Sequence, residues 1–134
     1  MTGGIAHGDV LPHTPIGPFD AAALAAFATA SGDDNPLHLV AAVAAEAGFA
    51  APPVHGVLLM AQIEPALAAW RPQARLARLT AQFLEPLLAG EHGHVTGRCL
   101  AAEDGRAIVR VFVRGPRRAP CLIGEATLVA REAP

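Results

Sequence analysis

The chain has 134 residues, 52% hydrophobic and only 16% charged, which suits a single domain over 1–134 whose apolar excess asks for a buried subunit interface. Its formal charge is −2, every basic side chain is an arginine, and no basic run exceeds Arg117-Arg118, so the electrostatic footprint of a nucleic-acid binder is missing. Polar residues or prolines interrupt each apolar run before membrane-spanning length and residues 1–8 lack a leader pattern, so a cytoplasmic protein without membrane attachment is expected.

Residues 1–8 are glycine-rich and read as flexible, and Asp9 to Phe19, with its prolines, reads as an extended segment or edge strand. Asp20 is placed to cap a helix over Ala21 to Ala30, which Ser31-Gly32 stops. Asn35 as cap and Pro36 at the first position predict a second helix to about Ala47, ended by Gly48. Gly56 opens the most apolar segment, Val57 to Trp70, predicted to be a buried helix kinked by Pro65 near Gln62 to Glu64. The pattern then turns strand-like at Arg75 to Phe83, His92 to Ala101, Arg106 to Arg114 and Cys121 to Arg131. Asp104-Gly105 suits a hairpin turn, and Gly115-Pro116 with Ala119-Pro120 bounds another, so the last three strands form an antiparallel meander. The layout is α+β. Cys99 and Cys121 fall on different predicted strands and read as reduced core thiols.

The chemistry concentrates in Ser31-Gly32-Asp33-Asp34-Asn35-Pro36-Leu37-His38, where a carboxylate and an imidazole stand five residues apart around a helix start. On its own this is also the look of any turn before a capped helix. His38 at that offset, followed by Gly48-Phe49 and by Pro53-Val54-His55-Gly56-Val57-Leu58-Leu59, lifts it above a chance turn. Together these segments resemble the signature of MaoC-like (R)-specific enoyl-CoA hydratases.

The resemblance implies a hot-dog fold, an antiparallel sheet wrapped around a long central helix. It further implies an acyl-CoA thioester substrate, interconversion of trans-2-enoyl and (R)-3-hydroxyacyl forms, and a homodimer, with a heterodimer as alternative. No metal and no other cofactor is implied. Hydration needs a group that takes a proton from water, a group that delivers one to the α-carbon, and a donor for the enolate-like oxygen. Asp33 and His38 answer to the first two. The resemblance assigns the third to the Gly56 amide, at a helix start that favours developing negative charge. Asn35 would hold the loop or the water, and His55 would touch substrate or, more simply, pack at the head of the helix. The same residues would serve a 3-hydroxyacyl-[acyl carrier protein] dehydratase, and a non-catalytic acyl-CoA-binding subunit is a third reading.

Other polar residues read more plainly. His92 and His94 share a strand face but lack further ligands nearby and read as solvated. Gln62 and Glu64 mark the exposed side of the kinked helix. No arginine separates itself as a coenzyme A phosphate ligand from a solvated strand edge.

Overall fold

Period-two alternation sorts the strands into two faces. In β3 (Gly93–Glu103), β4 (Arg106–Arg114) and β5 (Leu122–Ala130), residues such as Val95, Cys99, Val109, Val111, Val113, Leu122 and Leu128 are buried. Arg98, Arg110 and Glu125 alternate with them on the outer side. These strands form the expected antiparallel meander, and the turn between β3 and β4 uses Asp104 at φ 51° and Gly105 at φ 75°. In this computed structural model, which describes residues 4–131, β1 (Val10–Ile16) pairs with β3, and β2 (Ala74–Phe83) pairs with β5. The sheet among the described residues therefore runs β1-β3-β4-β5-β2, antiparallel throughout.

Local chemistry sets the first helix, α1 (Ala21–Ser31). The Asp20 carboxylate accepts from the Ala23 amide at 2.8 Å, and Gly32 stops the helix at φ 80°. A cap of this kind is worth about 1 kcal/mol. The central helix comes in two pieces, α3 (Gly56–Met60) and α4 (Ile63–Trp70), numbered after the short α2 (Ala41–Glu46). Pro65 has no amide hydrogen and its ring crowds the carbonyl four residues back, so the break falls at Ala61 and Gln62, slightly ahead of the expected place. Gln62 Nε2 donates to the Leu58 carbonyl at 3.1 Å, satisfying an acceptor beside the break.

Leu59, Ile63, Ala66 and Leu67 press this helix into the concave face of the sheet, where they meet Val109, Val111, Leu122 and Leu128 in one core. Burial on nearly every side of the helix is corrected. Val57, Ala61, Glu64, Pro65 and Ala68 lie on an exposed face, because one sheet covers only one side of a helix. Glu64 thus stands on the solvent side, as its charge predicts.

The helix expected from Pro36 to Ala47 is also corrected. The structure has a 3-10 turn, Pro36–His38, and then α2, with Val40 extended between them at φ −118° and ψ 114°. The break falls at Val40, next to the turn in which His38 Nδ1 lies 2.7 Å from the Pro53 carbonyl. At the amino end, residues 1–3 of the segment read as flexible lie outside the described residues. From Gly4 on the chain is anchored: Ile5 is buried, Gly8 donates to the Cys99 carbonyl at 2.8 Å, and Asp9 accepts from Ala6 at 2.9 Å and Arg71 at 3.3 Å.

His94 is not the solvated side chain expected of it. Its ring stacks on His13 at 4.1 Å. Burial, helped by the nearby His13 and Arg114, lowers its pKa below the ordinary imidazole value. Cys99 and Cys121 are free and buried, and burial raises both thiol pKa values.

Candidate active site

Three short pieces of backbone converge on one point. The Gly32 turn and the Asn35 cap shape the loop that carries Asp33. Ser31 Oγ accepts from the Asp33 amide at 3.1 Å, and Asn35 Oδ1 accepts from the Leu37 amide at 3.0 Å. The 3-10 turn then presents His38 back toward Asp33, with Nε2 and Oδ2 4.0 Å apart.

Tautomers follow from the partners. A carbonyl only accepts, so His38 Nδ1 carries the hydrogen it donates to Pro53 O at 2.7 Å, and in the neutral ring Nε2 is left as the lone-pair nitrogen. That nitrogen faces the carboxylate across a gap too wide for a direct hydrogen bond and suited to a shared water. The side chains differ in exposure, 52% for Asp33 and 16% for His38. The pair is therefore open to a small molecule from the carboxylate side.

His55 lies behind this pair. It is 1% exposed, its ring stacks on His38 at 4.1 Å, Phe27 meets it edge-on at 4.8 Å, and its Nε2 donates to the Asp33 carbonyl at 3.1 Å. Its Nδ1 is buried and has no hydrogen-bond partner. Among the described residues Asp33, His38 and His55 also each offer a metal-ligating atom within 4.8 Å of the others. The two rings are nearly parallel, 23° apart, so their in-plane lone pairs diverge from a common ion unless a ring turns.

His55 leads directly into Gly56, the first residue of α3, whose amide has no acceptor within the described residues. A Cβ on Gly56 would lie 2.9 Å from a ring carbon of Phe83. The glycine therefore permits close packing of that ring, a contact not foreseen from the sequence because it joins residues on two elements. Phe83 remains 48% exposed and Leu84 is also open, so an apolar surface borders the free amide. All five residues singled out in the sequence, Asp33, Asn35, His38, His55 and Gly56, gather here. Of the arginines, Arg71 is engaged by Asp9 and Arg117 by Glu91.

The arrangement can polarise a water between a carboxylate and an imidazole and can donate one backbone hydrogen bond to an oxygen. Comparison with known proteins agrees with that chemistry. The profile of the MaoC like domain matches residues 5–116. The (R)-hydratase from A. caviae involved in PHA biosynthesis superposes with a TM-score of 0.87 at 27% identity, over 96% of this chain and 98% of that one. The R-hydratase PhaJ1 from Pseudomonas aeruginosa gives 0.86 at 27% identity, over 98% and 86%. HadBC, a 3R-hydroxyacyl-ACP dehydratase complex from Mycobacterium tuberculosis, shares the fold at 16% identity, with a TM-score of 0.76 over 94% and 98%. No curated protein sequence matches the chain. With its five-stranded antiparallel sheet, central helix and matched domain, the chain belongs to the MaoC-like dehydratase family of hot-dog proteins.

Proposed function

We propose that this protein is an (R)-specific enoyl-CoA hydratase, working also in reverse as a 3-hydroxyacyl thioester dehydratase. The observation that carries the reading is the 4.0 Å gap between His38 Nε2 and Asp33 Oδ2, a pair joined through His55 to the residue before the free Gly56 amide. A water held in that gap would lose a proton to the pair and add its oxygen to the β-carbon. Negative charge developing on the thioester oxygen would be met by the Gly56 N–H. The pair would return a proton to the α-carbon, so that one water is added in total. Asn35 supports this by bracing the loop through the Leu37 amide. The (R) outcome is carried over from the two hydratases that the chain resembles.

The same reading makes the protein a cytoplasmic homodimer. Both sheet edges carry one register shift, but β1 is also interrupted by Pro12 and Pro15, whereas β2 offers ten residues without proline. An edge of that kind invites pairing with a second copy.

The test is loss of enoyl absorbance with crotonyl-CoA and a longer trans-2-enoyl-CoA, with chiral analysis of the product. Asp33→Asn and His38→Ala are each expected to lower kcat by about 10²- to 10⁴-fold, the usual span for removing a general acid or base. A wild type active only on acyl carrier protein thioesters would move the reading to the carrier-protein dehydratase. Full activity in Asp33→Asn would overturn it.

A further inference from the structure

We infer that His55 is a positioning residue that locks the Asp33–His38 pair to the Gly56 amide, a role that rests on the function just proposed. His55 meets Asp33 and His38 through its side chain and begins α3 through its backbone. Its backbone carbonyl accepts from Leu58 at 3.0 Å and Leu59 at 3.2 Å, so the residue is the first link of α3. Its Nε2–H holds the Asp33 carbonyl at 3.1 Å, and its ring face supports His38 at 4.1 Å.

For packing alone an imidazole has no advantage here over an apolar ring, since its buried Nδ1 has no partner among the described residues. A buried nitrogen without a partner is a net cost to stability. A phenyl ring would fill the same space between His38 and Phe27 without that cost. What the imidazole adds over phenyl is the hydrogen bond to Asp33. That bond restrains Asp33, whose other hydrogen bonds are short-range: its amide donates to Ser31 Oγ at 3.1 Å, and its carboxylate accepts from the Asn35 amide at 3.4 Å. Burial also keeps His55 out of reach of substrate, so it acts through Asp33 and His38 and not on the reacting atoms.

Two substitutions separate its contacts. His55→Phe keeps a ring against His38 and removes the donor. His55→Gln keeps a donor near the position of Nε2 and removes the ring. In His55→Phe, kcat is expected to fall about a hundredfold, the effect of an ångström-scale misplacement, with KM nearly unchanged and the melting temperature not lowered. His55→Gln is expected to recover part of that loss. Hydrogen exchange across residues 33–38 should quicken in His55→Phe and less so in His55→Gln, while the sheet stays protected. Because exchange needs no substrate, a wild type that hydrates no enoyl thioester overturns the functional reading alone, and the loop result still decides this one. Unchanged exchange in His55→Phe, or a fall in stability spread over the whole protein, would overturn the inference.

Discussion

Gly56 shows how tightly one residue is constrained at this site. Under the proposed function its amide must stay open to an oxygen, and its α-carbon packs against the Phe83 ring, leaving 2.9 Å where a methyl group would go. Because Phe83 ends β2 and is half exposed, the ring has room to swing outward. Gly56→Ala is therefore expected to displace Phe83 and to cost about 1 kcal/mol, the low end of the penalty for overpacking. Urea unfolding measures that cost. Pairing it with Phe83→Ala should recover stability, since the second change empties the space that the new methyl group needs. Loss of activity in Phe83→Ala alone, with the fold kept, would show that Phe83 also walls the substrate site.

At the scale of elements, the carboxyl-side loops are clipped by a single ion pair. Glu91 lies between β2 and β3, and Arg117 lies in the turn between β4 and β5. They form two hydrogen bonds of 2.9 Å, while Glu91 also accepts from the Leu88 amide at 2.7 Å. Burial alone would raise the Glu91 pKa, but the bonds from Arg117 and Leu88 and the charge of Arg117 outweigh it, and the net shift is downward. A lowered folded-state pKa adds stability above the ordinary carboxylate pKa and loses it as pH falls through the folded value. Glu91→Gln should thus destabilise the protein by about 1 kcal/mol or less at pH 7, given the partial exposure of both groups. The difference from wild type should shrink below about pH 4, as denaturant melts at the two pH values would show. Local elements such as the Asp20 cap, the Gly32 stop and the Asp104-Gly105 turn were legible in the sequence because neighbouring residues decide them. The split of the second helix was not, since the 3-10 turn that replaces its first part has its side-chain partner, the Pro53 carbonyl, fifteen residues away. The His13–His94 stack was hidden for the same reason, being set by the register of β1 against β3.

For the molecule as a whole, the exposed apolar surface has a direction. Val57, 61% exposed, opens the outer face of α3, and Phe83 and Leu84 stand at the end of the free edge strand β2. The residues of the candidate site could be singled out because they fall in one motif, but their surroundings could not, because half of the central helix is left without a cover by this one chain. A second copy docked antiparallel along β2 would extend the sheet to ten strands and bring the two uncovered helix faces toward each other. Hydrogen bonds along β2 would set the register, and apolar contact would supply most of the affinity. Replacing Val57 by Asp places a charge on that face while leaving the core untouched, since Val57 packs little within its own chain. Light scattering should give a dimer for the wild type and a monomer for Val57→Asp, with melting still cooperative. Turnover should fall with the dimer if the apolar wall beside Gly56 depends on the partner. A wild type that stays monomeric until mixed with a related subunit would instead make the assembly heterologous, as in the HadBC complex, whose fold this chain shares.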